Sequence, residues 1–334
     1  MRKLIITFLI ATIGSYFWYG YNLGPVSKKN AKREQITIEQ GMSVEQITNL
    51  LAEKGMIRSP LAFKLHVAFN GLSAALQAGT FIFDQSMNAE EVVMLLTTGK
   101  SKEIRITIPE GFTVKDIDAL LAEQQLIEAG DILDCLKVCD FSSFEFLPDK
   151  KDLARRGGKL EGYLFPDTYY VEPGNFVPKF FLERMLNAFR SRVLRDLYDD
   201  LATSERSVHE MITMAALIEE ETQTDEERPV VAGILWKRYD EGMGLGVDAT
   251  VRYILDKPTG VLTGSDLNTD SQYNLRKFRG LTPGPIASPG IKSIQAALRP
   301  EKSEYWYYLH GSDGQIHYAV TNEEHNMNKY KYLH

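Results

Sequence analysis

The sequence predicts an α+β protein with an N-terminal membrane helix, a small domain of strands backed by helices, and a larger domain of mixed α and β structure. Three observations support this class: a long uncharged apolar start, a repeated strand, turn and helix pattern, and helical periodicities separated by Gly- and Pro-rich loops. We place the divisions at residues 1–27, 28–102 and 103–334. The 334 residues, 44% hydrophobic and 25% charged, are enough for two globular domains.

The N-terminal segment has the character of a membrane anchor. Residues 4–27 carry no charged side chain, and about 20 such residues span a bilayer as a helix. Aromatic residues gather at the end of the apolar run, where rings favour the headgroup region. No small-x-small cleavage site follows, so an uncleaved anchor is favoured over a cleaved signal peptide or a buried core helix. Two basic residues precede the span and four follow it, a count that alone favours a cytoplasmic body.

The charge of the body excludes nucleic acid as a partner. The chain has 38 basic and 45 acidic residues, and residues 1–33 hold six of the basic residues and none of the acidic ones. The remaining residues therefore set 32 basic against 45 acidic side chains. Nucleic-acid affinity comes largely from Lys and Arg that neutralise phosphates, so we expect neutral or cationic substrates instead.

Cys135 and Cys139 are the only cysteines of the chain. A spacing of four residues on a helix is awkward for a disulfide, and a metal site needs more ligands. We expect two unpaired cysteines, with a disulfide as the alternative, and infer no redox compartment from them.

A strand, turn and helix unit occurs twice, 70 residues apart. Residues 36–57 and 106–127 match at 11 of 22 positions, and each copy has a turn glycine and a hydroxyl residue suited to helix capping. Between the copies, residues 79–96 predict a further strand and a helix that starts near Asn88. The region 35–100 resembles a LysM-like module, a small fold that binds amino-sugar polymers. The alternative is a pair of packing units without a ligand.

Residues 103–334 predict a mixed α and β domain with long loops. Helical patterns cover residues 177–201, 207–222, 228–240 and 291–298, and an aromatic strand covers residues 305–309. The loop 280–290 is rich in Gly and Pro, and such loops often carry functional sites.

The helix 207–223 places one carboxyl among apolar side chains. At 100° per residue Glu219 falls on the apolar side, whereas Glu220 and Glu221 point away on either side. A carboxyl among Ile and Met is costly to ionise, which favours the protonated form that a general acid requires. The alternative is a structural Glu paired with an arginine such as Arg252, or hydrogen-bonded to the backbone.

Other chemistries find no support in the sequence. His209 and Glu210 lack a second histidine at zinc-protease spacing, and no serine-hydrolase elbow, Walker A loop or dinucleotide fingerprint occurs. We therefore expect no metal and no cofactor. Asp248 stands at a loop-to-helix junction, where helix capping is its favoured role.

Five motifs in order resemble the endolytic murein transglycosylases called MltG or YceG. They are LEGYLFPDTYY, MAALIEEET, VDATVRY, QYN followed by GLTPGPIASPG, and HYAVTNEEHN. The resemblance implies a bacterial inner-membrane protein with a LysM-like region and a catalytic domain outside the cytoplasm, contrary to the basic-residue count. It also implies that Glu219, the first acid of the family's A-S-I-[IV]-E-K-E run, is the catalytic glutamate.

The resemblance suggests further site residues. Glu221, Asp248, Tyr273, Asn274 and His325 are expected to support the site. The loop is expected to bind substrate through Leu281, Pro283, Gly284, Pro285, Ser288 and Pro289. The chain departs from the family pattern at Ala216, Glu220, Leu275, Arg276 and Thr282, so it lacks the serine and tyrosine hydroxyls of that pattern.

The implied reaction cleaves the β-1,4 bond between MurNAc and GlcNAc within peptidoglycan strands and leaves 1,6-anhydroMurNAc ends. The implied role is to set or terminate strand length beside penicillin-binding peptidoglycan synthases. Two rival interpretations are a non-catalytic, membrane-anchored peptidoglycan-binding protein and, if the anchor is a core helix, a cytoplasmic lyase of small metabolites.

Overall fold

A computed structural model describes residues 2–28, 31–99, 103–148, 158–173 and 176–333 of the chain. The chain divides into two compact units. The N-terminal unit comprises Met1–Ile106 and Tyr170–Phe176, and the C-terminal unit comprises Thr107–Tyr169 and Val177–His334.

The N-terminal unit combines helices with a two-stranded antiparallel sheet, in which Ile36 of one strand lies opposite Phe81 of the other. Its core is formed by one face of the sheet and by the apolar faces of three helices, and Leu51, Phe63, Phe83 and Leu95 are almost fully buried in it. The elements are α1 (Arg2–Asn22), β1 (Arg33–Ile38), α2 (Val44–Glu53), α3 (Pro60–Phe69), β2 (Gly79–Asp84) and α4 (Ala89–Thr98).

The segment expected to be an anchor forms most of α1. Among the residues that the structure describes, no helix reaches the length and apolar character needed to cross a bilayer. Met1 and the side chains of residues 2–11 lie outside the described part of the chain.

The C-terminal unit is mainly helical. It contains a β-hairpin near the end of the chain. The strands β3 (Ile104–Thr107) and β4 (Thr168–Val171) pair with each other, and most of β3 and the second half of β4 fall in the N-terminal unit. The remaining elements are α5 (Val114–Glu123), α6 (Asp131–Val138), a 3-10 turn (Gly158–Leu160), α7 (Pro178–Phe189), a π-helical turn (Arg190–Arg195), α8 (Tyr198–Thr203), α9 (Val208–Glu221), α10 (Glu227–Asp240), α11 (Asp248–Leu255), α12 (Gly264–Leu267), α13 (Ile291–Leu298), β5 (Tyr307–His310), β6 (Ile316–Ala319) and α14 (Asn322–Tyr332).

The predicted repeat is present as two copies of strand, turn and helix. The turn glycine has φ +91° at Gly41 and +79° at Gly111. In both copies a hydroxyl side chain caps the helix: Ser43 forms a capping box with Gln46, and Thr113 forms one with Asp116. Because each box satisfies N–H groups that the first helical turn leaves free, the same local signal starts α2 and α5.

The expectation of unpaired cysteines was wrong, because Cys135 and Cys139 form a disulfide with a Cα–Cα distance of 4.9 Å. The helix α6 ends at Val138, and Cys139 has extended backbone with φ −78° and ψ 140°. The second cysteine is therefore not on the helix, and the objection based on helical spacing does not apply.

Gly162 allows a close approach between two of the sequence motifs. Its φ is +80°, and a Cβ atom built on it would lie 2.3 Å from Cβ of Pro285. A side chain at this position would thus meet both backbone strain and a steric clash. The glycine of LEGYLFPDTYY is therefore needed for packing against the Gly- and Pro-rich loop.

We expect Gly162→Ala to lower the free energy of unfolding of the C-terminal unit by about 3 kcal/mol, because strain and overpacking add. Gly242→Ala is the matched control, since φ is +64° there and nothing lies within 4 Å of the added Cβ. Strain alone predicts a loss of about 1 kcal/mol for the control. Denaturant unfolding followed by tryptophan fluorescence measures both losses, and equal losses would contradict the packing role.

Candidate active site

Glu219 lies near the C-terminal end of α9, and its side chain is 8% exposed. The residues from Met211 to Ile218 are all buried, because α10, α11 and α13 pack around α9. The Oε2 atom accepts a hydrogen bond of 2.9 Å from the backbone N–H of Gly290. Glu219 thus lies on the buried side of its helix, as the helical pattern predicts, and is held at a defined position.

Arg228 supplies the cation beside this carboxylate. It lies in α10, is 8% exposed, and donates from Nη2 to Oε1 of Glu219 at 3.3 Å. The same guanidinium also donates to Asp225 and, at 3.0 Å, to Oγ of Ser293. A buried charge without such a partner is costly, so the ion pair explains how a carboxylate is tolerated here.

The alternative interpretation of Glu219, pairing with an arginine, is present in the structure but involves a different residue. The guanidinium of Arg252 donates instead to the backbone carbonyls of Lys257 and Gly260. The arginine that pairs with Glu219 comes from the helix that follows it, nine residues later in the chain.

Gly290 lies where the start of α13 meets the turn of the second repeat copy. Gly290 is the N-cap of α13, so Glu219 faces the positive end of a helix dipole. Just before it, the backbone of Ser288 pairs with the repeat turn, through Gly111 N–H to the Ser288 carbonyl at 2.9 Å and Ser288 N–H to the Phe112 carbonyl at 2.8 Å. These bonds fix the turn beside the candidate site.

Glu110 brings a second carboxyl to the same glycine. A Cβ atom built on Gly290 would lie 1.9 Å from Oε1 of Glu110, so this carboxyl lies directly against Gly290. Partial burial, and then the negative charge of Glu219, raise the pKa of Glu110. Nothing in the sequence motifs identified Glu110 or Arg228. A signal for Glu110 is present in the repeat, because the same position of the first copy holds Gln40 instead of an acid.

Glu221 lies at the end of α9 and accepts a hydrogen bond of 2.8 Å from the Tyr308 hydroxyl of β5. Burial raises the pKa of Glu221 to about 7, although the Tyr308 hydrogen bond opposes the shift. The helical pattern places this side chain away from the core of α9. The β5–β6 hairpin covers that side, which the periodicity of one helix does not reveal.

Asp248 does not cap α11, so that expectation was wrong. The N-cap is Val247 and no side chain caps the helix. The Asp248 carboxylate instead accepts a hydrogen bond of 2.5 Å from Nε of Arg276. The Arg276 side chain stands where the family pattern has a tyrosine, so this departure provides the ion-pair partner of Asp248.

Tyr273 and Asn274 differ in what they can contact. Asn274 is fully buried, and its amide donates to the backbone carbonyls of Leu267 and Thr269 at 3.0 and 2.8 Å. It therefore holds its own loop together. Tyr273 is partly exposed, with its ring 5.5 Å from that of Tyr253, and burial raises its pKa to about 12.

The loop expected to bind substrate is largely internal. Leu281 and Pro283 line a cavity of about 550 Å³ together with His209 and Thr213 of α9. At 1.5 Å per residue this cavity lies roughly 10–15 Å along the helix from Glu219. The other members, namely Gly284, Pro285, Ser288 and Pro289, are buried.

His325 lies on α14, with its ring stacked 5.1 Å from that of Tyr307. Its Nδ1 atom is buried and finds no hydrogen-bond partner among the described residues. Burial, and then the charges of Lys329 and Arg238, lower the pKa of His325. The structure therefore places His325 against the hairpin that also carries Tyr308.

The motif LEGYLFPDTYY holds the elements of the unit together. The Glu161 carboxylate is buried and accepts from the Val114 N–H at 3.0 Å and from the Tyr253 hydroxyl at 3.1 Å. The Tyr163 hydroxyl is hydrogen-bonded to Nδ1 of His209 at 2.9 Å. This motif joins α5, α9 and α11, so its role is to fix the scaffold of the site.

Within the described residues, no group of three or more His, Cys, Asp or Glu side chains is arranged to hold a metal ion. The arrangement around Glu219 brings together an oriented carboxyl, a guanidinium and a helix N-terminus, with a second carboxyl against Gly290. These are groups suited to proton transfer.

Comparison with known proteins identifies the relatives of the chain. It is 34% identical to an endolytic murein transglycosylase of Bacillus subtilis, over 96% of this chain and 91% of that protein. It is 28% identical to an endolytic murein transglycosylase of Streptococcus pneumoniae, of whose length the match covers 65%. A crystal structure of a yceG-like protein from Listeria monocytogenes is 30% identical, with a TM-score of 0.61 over 89% of this chain and 99% of that one.

The family model described as YceG-like matches residues 36–331, which is most of the chain and includes both repeat copies and all five motifs. This match and the relatives confirm the resemblance seen in the motifs. The chain belongs to the YceG-like family.

Proposed function

We propose that this protein is an endolytic peptidoglycan lytic transglycosylase in which Glu219 is the acid and base. The observation that carries the proposal is the carboxyl of Glu219, 8% exposed and fixed by the Gly290 N–H and Arg228, at the first acid of the family motif. Relatives named endolytic murein transglycosylases, at 34% and 28% identity, support peptidoglycan as the substrate.

The reaction needs a proton at the glycosidic oxygen and an acceptor for a second proton. Protonated Glu219 would donate to the oxygen between MurNAc and GlcNAc as the bond to the MurNAc anomeric carbon breaks. The resulting carboxylate would then take the proton of the MurNAc 6-hydroxyl, whose oxygen bonds to the same anomeric carbon. The product is a 1,6-anhydro end, no water is consumed, and Glu219 is protonated again.

Fixed geometry supports this use of one carboxyl for two transfers. The Gly290 N–H and Arg228 hold the two oxygens of Glu219 from different directions, so little reorientation is available to the group. Catalytic groups held in place on rigid elements reduce the entropy cost of reaching the transition state. Glu221 would support the site through its hydrogen bond to Tyr308, and Asp248, Tyr273, Asn274 and His325 through the packing of the surrounding loops and hairpin.

The N-terminal segments suggest how the enzyme reaches its substrate. The uncharged residues 4–27 would anchor it in the bacterial inner membrane with the catalytic domain outside the cytoplasm. The β1, α2, α3, β2 arrangement would be the LysM-like part, able to hold glycan strands. Cleavage beside penicillin-binding synthases would then set or terminate strand length. A non-catalytic, anchored peptidoglycan-binding protein is the alternative.

We expect Glu219→Gln to fold and to lose at least about 100-fold in glycan cleavage, because the amide still accepts the Gly290 N–H but cannot carry a proton. The measurement is product release from purified glycan strands, with circular dichroism to confirm folding. Glu123→Gln, an exposed change of the same type on α5, is the control and should retain activity. Undiminished cleavage by Glu219→Gln would end the assignment.

Mass spectrometry of digested sacculi tests the reaction class. The proposal expects new ends that lack one water, as 1,6-anhydroMurNAc does. Reducing MurNAc ends would indicate a hydrolase. Binding to sacculi with no new ends of either kind would favour the non-catalytic binding protein.

Glu221 gives a prediction for stability against pH. Its pKa is raised to about 7 in the fold, so between about pH 4.5 and 7 the folded state binds more protons than the unfolded state. The contribution of Glu221 to stability therefore decreases as pH rises through this window. The free energy of unfolding of Glu221→Gln minus that of the parent should therefore be larger at pH 8 than at pH 5. Urea unfolding measures this difference. A difference that does not change with pH would contradict the buried environment of this carboxyl.

A further inference from the structure

A site with Glu219 as general acid must hold a proton, yet the contacts of Glu219 are those of an ionised carboxylate. The Gly290 N–H donates to one oxygen and Arg228 to the other. Donors of this kind favour the charged form of a carboxyl group. Some other feature must therefore keep a proton available at this position, and the described residues supply one.

The charges around Glu219 are unbalanced toward the negative side. Arg228 is shared between Glu219 and Asp225, while the Glu110 carboxyl lies against Gly290. Glu220, the next residue on α9, adds a further carboxyl whose pKa is raised by burial and by the charge of Glu219. Three carboxyls, Glu110, Glu219 and Asp225, thus act on one guanidinium.

Glu110 is the member of this group with the fewest restraints. No described residue donates a hydrogen bond to its carboxyl, and the residue is open to solvent except where the carboxyl lies against Gly290. Its interaction with Glu219 is repulsive, and such an interaction acts equally on both partners. A negative charge on either carboxyl therefore opposes ionisation of the other.

We propose that Glu110 is a positioning residue for the reaction, whose carboxyl lies against Gly290 and acts by its charge on Glu219, which the Gly290 N–H holds. This inference rests on the proposed lytic transglycosylase function. The negative charge of Glu110 would oppose loss of the proton that Glu219 donates when a glycan covers the site. Glu110 thereby sets the pH range over which Glu219 can act as an acid.

The repeat supplies evidence that Glu110 can be replaced without loss of the fold. The first copy has Gln40 at the position of Glu110, in a turn whose glycine has φ +91°, against +79° in the second copy. A glutamine is therefore compatible with this turn. Glu110→Gln removes the charge and the proton while keeping the size of the side chain.

The experiment is the pH profile of anhydro-end formation by the full chain on purified glycan strands, from pH 4.5 to 8.5. We expect Glu110→Gln to remain folded and to be active at low pH. Its alkaline limb should lie about one pH unit below that of the parent, so that on this limb its rate is about tenfold lower at the same pH. Glu110→Asp keeps the charge and should keep the alkaline limb near its original pH. Glu123→Gln controls for loss of a negative charge elsewhere on the unit.

Two results would overturn the inference. A uniform fall in rate with both limbs unmoved would mean that Glu110 is merely structural. Complete inactivity of folded Glu110→Gln at every pH would mean that Glu110 is itself the acid. Failure of the unsubstituted protein to form anhydro ends is a different outcome, since it removes the proposed function and is seen before any variant is compared.

Discussion

The arrangement around Glu219 follows from one constraint, the burial of an ionisable carboxyl next to a helical stretch, Met211 to Ile218, in which every residue is buried. Such a group is tolerated only with donors at both oxygens, because an unpaired buried charge costs several kcal/mol. The Gly290 N–H and Arg228 are those donors, and they come from two different helices packed on α9. The positions of α10 and α13 are therefore tied to this carboxyl.

The family motifs form the structure that maintains this arrangement. Glu161 joins α5 to α11, and Gly162 permits contact with Pro285 in the loop that leads to Gly290. The backbone pairing of Ser288 with the second repeat turn then fixes Glu110 beside Gly290. The sequence suggested that several of these motifs bind substrate. Because the residues of the loop 284–289 are buried, these motifs act mainly by holding Glu219 in position.

Local signals in the sequence predict the elements well. The repeat, the capping residues and the periodicity of α9 and α13 depend on neighbours within one helical turn, so they are visible without tertiary contacts. Pairing between distant elements is not visible in this way. The Arg228 partner, the Tyr308 hydrogen bond and the Asp248–Arg276 pair all join different elements, and the Cys135–Cys139 bridge depends on where α6 ends. The helical pattern therefore predicts the buried position of Glu219 but not the partners that surround it.

The account depends on the scissile bond lying at the carboxyl of Glu219. The most direct measurement is a crystal structure of the Glu219→Gln variant with an uncleaved glycan strand bound. The account predicts the oxygen between MurNAc and GlcNAc within hydrogen-bond distance of the residue 219 amide, with the MurNAc 6-hydroxyl on the same side. A strand bound with every glycosidic oxygen remote from residue 219 would contradict it.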